Sequence, residues 1–64
     1  MPTGYVEIDG IKLTRREESA MRKIFFDIPL DSFDKQAILR VKKKTDKYPY
    51  NIFYGPNGLY REKK

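Results

Sequence analysis

Asp31-Ser32-Phe33-Asp34-Lys35-Gln36-Ala37-Ile38-Leu39-Arg40-Val41-Lys42-Lys43-Lys44 reads in two ways, and the fold turns on the choice. Asp31 or Ser32 suits a helix N-cap, the run from Lys35 onward holds good helix formers, and the closing lysines complement the negative end of a helix dipole. Against this, Asp34 falls inside the apolar arc of Phe33, Ala37, Ile38 and Val41, while Leu39 points elsewhere. Read as a strand, Ala37, Leu39 and Val41 line one face. Folded back through Lys44 to Lys47, they lie opposite Tyr54, Ile52 and Tyr50. Cap and propensity favour the helix; the strand is the alternative.

Upstream the signals are local and mutually consistent. Tyr5-Val6-Glu7-Ile8 and Ile11-Lys12-Leu13 alternate around Asp9-Gly10, a pair suited to a type I′ turn because both central residues take positive φ. The resulting hairpin opposes Ile8 to Ile11, Glu7 to Lys12 and Val6 to Leu13, leaving one aliphatic face. Thr14-Arg15-Arg16-Glu17 fits a capping box, so a helix starts there. Its stripe of Met21, Ile24, Phe25 and Ile28 is expected to lie on the hairpin's aliphatic face. Pro29 disfavours helix at Ile28, which places the helix end near Phe26 or Asp27.

Downstream, Tyr50-Asn51-Ile52-Phe53-Tyr54 and Leu59-Tyr60-Arg61-Glu62 flank Gly55-Pro56-Asn57-Gly58. A type I turn with a G1 bulge is expected there, setting Tyr54 opposite Tyr60 and Ile52 opposite Glu62. The fold class is therefore α+β: an N-terminal β-hairpin, one helix, a second helix or strand, and a C-terminal β-hairpin. A small antiparallel sheet with a helix packed on one face is expected. With 64 residues the chain reads as one domain over residues 1–64, since so short a chain has no material for a second core.

Histidine and cysteine are both absent, which removes disulfides, the usual zinc ligands, and the commonest acid–base and thiol chemistry. Ser19 and Ser32 lack a nucleophile context, Asp31 and Asp34 are explained by helix capping, and the four glycines form no phosphate loop. The sequence therefore points to a binding protein without catalytic residues, metal or cofactor. No stretch approaches the roughly 20 apolar residues of a membrane span, and Met1–Tyr5 shows no leader pattern. A cytoplasmic location without membrane attachment is expected.

The net charge of +5 is unevenly placed. Residues 1–34 hold five Lys/Arg and seven Asp/Glu, a balance of −2, whereas residues 35–64 hold nine and two, a balance of +7. Such asymmetry points to a polyanionic partner. In the basic half, cations interleave with Tyr48, Tyr50, Phe53, Tyr54 and Tyr60, a combination that suits phosphate neutralisation and base stacking. At most one or two of these five are expected to be exposed, with Phe53 and Tyr48 the candidates. The expected nucleic-acid site comprises Arg40, Lys42, Lys43, Lys44, Lys47, Tyr48, Phe53, Arg61 and Lys63.

With a helix over 31–44, the order helix, helix, hairpin resembles the winged helix-turn-helix plan, which implies a DNA-binding regulatory domain with a second helix in the major groove. The segment Asp27-Ile28-Pro29-Leu30 lacks the glycine often found in such turns, and beyond Gln36 and Arg40 the helix shows few base-reading side chains. With a strand over 31–44, single strands or RNA are the expected partners. The alternative is a protein-binding adaptor or inhibitor whose basic face docks an acidic partner, with Phe26 or Phe53 as anchors.

Overall fold

The computed structural model describes residues 4–64; Met1–Thr3, part of the stretch read for a leader, lies outside them. In chain order the elements are β1 (Tyr5–Ile8), β2 (Ile11–Thr14), α1 (Arg15–Phe25), α2 (Ser32–Thr45), β3 (Tyr50–Gly55) and β4 (Gly58–Lys63). The fold is α+β, and the ambiguous segment is a helix. Two separate antiparallel two-stranded sheets, β1–β2 and β3–β4, pack with the two helices.

Local chemistry accounts for the element boundaries. Asp9 (φ 50°) and Gly10 (φ 84°) make the first turn, and the register pairs Ile8 with Ile11, Glu7 with Lys12 and Val6 with Leu13. Both capping boxes close: the Thr14 hydroxyl accepts from the Glu17 amide while Glu17 accepts from the Thr14 amide, and Asp31 and Asp34 do the same for α2. Asp34 thus sits in the apolar arc because it is the third residue of a capped helix.

Helix α1 stops at Phe25, slightly before the expected end. Asp27 adopts a left-handed φ of 59°, its amide donates to the Ile24 carbonyl at 3.2 Å, and the Ile28 amide donates to that of Lys23 at 2.8 Å. That pair of bonds is a Schellman motif, so Asp27 fills the place a turn glycine usually takes.

Ile11, Leu13, Met21, Val41 and Ile52 form the core, with Ile8, Ile38, Tyr48, Tyr50, Tyr54 and Leu59 packed around it. The expected α1 stripe is only partly correct. Met21 is buried, but Ile24, Phe25 and Ile28 are 51%, 43% and 47% exposed. Helix α1 instead turns Glu17, Ala20 and Met21 inward. Glu17 is drawn in by cations described below, and Ala20, like Ala37 of α2, is fully buried. Ile24 shares that inward face, lying four residues on from Ala20 and seven from Glu17, so its exposure reflects its place in the last turn of α1 and not a rotation of the helix.

The second hairpin also departs from expectation. Its register runs Gly55 to Gly58, Tyr54 to Leu59, Phe53 to Tyr60 and Ile52 to Arg61, one residue from the expected pairing. Gly58 takes a φ of 105° at a two-residue connection without a bulge. The ladder then puts Tyr54 and Leu59 on the core side and stacks Phe53 with Tyr60 on the other, rings 5.9 Å apart.

Two substitutions separate the observed core from the expected stripe. Met21→Ala should cost about 2–5 kcal/mol in urea unfolding, whereas Ile24→Ala should cost about 1 kcal/mol or less. Equal losses would restore the stripe. Asp27→Gly should raise stability by about 0.5–1 kcal/mol by relieving the left-handed conformation; a loss would mean that the Asp27 side chain stabilises the turn.

Candidate nucleic-acid interface

Two carboxylates decide which cations face outward. Glu17, 1% exposed at its side chain, accepts from Arg40 Nε at 3.0 Å and Lys44 Nζ at 2.6 Å, and from the Thr14 amide at 2.9 Å. Lys44 also donates to the Lys12 carbonyl at 2.9 Å, joining α2 to β2. Burial opposes ionisation of Glu17, but these donors outweigh it and hold its carboxyl below the usual range. Asp34 accepts from Lys23 Nζ at 2.6 Å, its other oxygen lies 3.7 Å from Arg16 Nη1, and the Lys23 ammonium chiefly lowers its pKa against the cost of burial.

The expected site therefore does not form one surface. Arg40 and Lys44 hold Glu17 from the α1 side of α2. Arg61 pairs with Asp9 and lies 4.9 Å over the Tyr50 ring, while the Tyr50 hydroxyl donates to the Asp9 carbonyl at 3.1 Å. Arg61 thus links the two hairpins. Tyr48 is half-buried against the core, its ring 5.7 Å from that of Tyr50. Phe53 is exposed as expected, and its exposed companion is Tyr60 instead of Tyr48. Lys63 borders a small cleft with Pro49, Tyr50 and Arg61, apart from α2.

What α2 does present is a basic row. Lys35, Leu39 and Lys43 follow one another at spacings of four along α2, all exposed, with Gln36 exposed beside them, Lys42 on the adjoining flank and exposed Lys47 in the turn that follows the helix. No hydrogen bond or ion pair engages the ammonium groups of Lys35, Lys42, Lys43 or Lys47 among the described residues. Lys35 and Gln36 stand outside the expected site; the spacing of Lys35 to Lys43 across Leu39 is the signal that marks them. Asp31 and Asp46, at the two ends of the helix, are its exposed acids.

A second surface has different chemistry. An open cleft of about 600 Å³ lies between α1, α2 and β3, lined mainly by apolar side chains including Ile24, Phe25, Ile38 and Tyr60, with Lys42, Asp46 and Lys64 at polar positions. Phe26 extends it, its ring 5.0 Å from Phe25 and 6.4 Å from Tyr54. Sequence pattern assigned Ile24 and Phe25 to the core, so the cleft was hidden. Among the described residues no helix is long and apolar enough to cross a membrane. Neither a known protein family, nor a curated protein, nor a solved structure matches this chain.

Because Glu17 and Asp34 have lowered pKa values in the fold, their ionised forms add stability at pH values above the ordinary 4.5 and 3.8, and that contribution is lost as the pH falls through the folded values. Unfolding measured from pH 7 to pH 2 should show stability falling below about pH 4.5. In Glu17→Gln the neutral-pH stability should be lower and the acid slope shallower; an unchanged slope would show that the Glu17 cluster contributes nothing to folding.

Proposed function

We propose that this chain binds nucleic acid, specifically duplex DNA, through the exposed face of α2. The observation that carries the reading is the row Lys35, Leu39 and Lys43 on α2 with Gln36 beside it and Lys47 just past the helix end. Ammonium groups that hold no carboxylate remain available to neutralise phosphates and release counterions. The nearest internal acids, Glu17 and Asp34, are buried against their own cations, which leaves the field over this face positive. An α-helix fits the major groove of B-DNA, where glutamine matches the paired donor and acceptor of adenine and an apolar side chain meets the thymine methyl. Gln36 and Leu39 are the candidates for those two contacts. The order α1, α2, β3–β4 resembles the winged helix-turn-helix plan, and a regulatory role is proposed by analogy with that plan.

One observation favours the second reading, an acidic protein partner. Leu39 is 59% exposed at the centre of the basic row, an arrangement that also suits an apolar anchor ringed by charge.

Fluorescence anisotropy with duplex DNA, single-stranded DNA and RNA at low and moderate salt tests the proposal. Duplex binding should weaken steeply with salt, and Lys43→Ala combined with Lys47→Ala should lower affinity several-fold and reduce the log–log salt slope by about 2. Arg40 and Lys44 are left intact because they support Glu17. Flat titrations with all three nucleic acids at low salt would reject the reading in favour of the protein partner.

A further inference from the structure

The second hairpin carries its cations at one end. Its tip, Gly55-Pro56-Asn57-Gly58, holds no charged side chain, whereas Lys63 pairs with Tyr50 at the open end and Arg61 lies two residues nearer the tip, opposite Ile52. That open end is fastened to the last turn of α2. The Thr45 carbonyl accepts from the Tyr48 amide and from Lys64 Nζ, both at 3.0 Å, and the Lys64 amide donates to the Pro49 carbonyl at 3.1 Å. Lys47, exposed just past α2, stands two residues before Pro49 and hence within about 7 Å of it, the reach of two residues.

Pro49, Tyr50, Arg61 and Lys63 line a cleft of about 380 Å³ at this end. Arg61 is positioned there in advance of any ligand. Its guanidinium lies 4.9 Å from the centre of the Tyr50 ring and meets Asp9 through Nη1. That leaves the Nε and Nη2 donors unengaged among the described residues, and no hydrogen bond or ion pair engages the Lys63 ammonium among them either. Glu62 faces away, because side chains alternate along a strand, and it sits opposite Asn51. The Arg61 and Asp9 side chains are 53% and 43% exposed, so their attraction is screened by water and cancels the Arg61 charge only in part.

We infer that this cleft is a phosphate-binding site. Arg61 supplies a flat fork of donors, held in place by Tyr50 and Asp9, and Lys63 supplies a second positive charge on the same face of the hairpin. The ligand is a charged group and not a stacked base, because the Tyr50 ring is already engaged by Arg61 and by the Tyr48 ring, 5.7 Å away. In the complex proposed above, on which this source rests, the phosphate belongs to the nucleic-acid backbone beyond the end of α2. The second contact then lies at the base of the hairpin. A wing that used its tip would set an uncharged loop against phosphate.

Nitrogen-15 NMR of the full chain titrated with sodium phosphate, against sodium chloride at equal ionic strength, tests the site without nucleic acid. Shifts should be confined to Tyr50, Arg61 with its Nε–H, and Lys63, and Lys63→Ala, a change at an exposed side chain, should remove them. Anisotropy with duplex DNA identifies the source. Lys63→Ala should weaken binding several-fold and lower the log–log salt slope by about 1, while Asn57→Glu at the tip should leave the slope unchanged. Phosphate shifts at the cleft in a chain that binds no DNA, or whose DNA slope Lys63→Ala does not alter, would keep the site and make a free phosphate its ligand. Absence of those shifts together with an unaltered slope in Lys63→Ala overturns the inference, whether or not the chain binds DNA through α2. Equal shifts from an oligoglutamate at the same charge concentration also overturn it, since the cleft would then take carboxylates from an acidic protein.

Discussion

Everything in this molecule is arranged around a carboxylate taken out of water. A buried, unpaired charge is untenable, and a buried pair is worth keeping only when its geometry and remaining hydrogen bonds are complete. Glu17 meets that condition by gathering Arg40, Lys44 and the Thr14 amide, which fixes the end of β2, the first turn of α1 and the second half of α2 relative to one another. Because Lys44 also holds the Lys12 carbonyl, the same group ties the first hairpin to the second helix. Bringing Glu17 inward turns Ala20 and Met21 to the core with it, while Ile24 and Phe25, in the last turn of α1, remain exposed.

The cluster also divides the lysines and arginines into two populations. Arg16 and Lys23 share Asp34, Arg40 and Lys44 share Glu17, and Arg61 pairs with Asp9, so five cations meet three carboxylates and their charge is cancelled only in part. Of the cations outside these pairs, Lys35, Lys42 and Lys43 stand exposed on α2 and Lys47 just past its end. A sum of charges over the second half of the chain therefore overstates the attraction available to a polyanion, while the helix geometry concentrates what is left into a narrow row.

Local signals were legible in the sequence because each is complete within a few residues. Asp9-Gly10 specifies its turn, Thr14 to Glu17 its capping box, and Asp31 the start of α2; the helix was favoured over the strand for the reason that proved right. Longer-range outcomes were not legible. Nothing in a capping glutamate says that cations 23 and 27 residues away will bury it, and periodicity alone does not say that the core reaches Met21 but leaves Ile24 and Phe25, in the last turn, exposed. Pro56-Asn57-Gly58 is compatible with a bulged or an unbulged turn, and packing of Tyr54 with Leu59 picked the latter. Of the nine expected site residues, Lys42, Lys43 and Lys47 lie on or beside the α2 row. Arg40, Lys44 and Arg61 were displaced by ion pairs, Tyr48 by the core, and Phe53 and Lys63 by lying on the other hairpin.

The division of charge along the chain bears on how the protein is made. The first half carries Glu17 together with the hairpin and helix it caps, but both side chains that neutralise it belong to the second half. While the chain is still emerging during synthesis, Glu17 has no cation to accompany it inward and stays in water, so the early half cannot settle against its final partners. Lys44 must appear before the carboxylate can be enclosed. The two halves are thereby bound into one cooperative folding event that waits for α2, although every turn and cap in the first half is encoded locally.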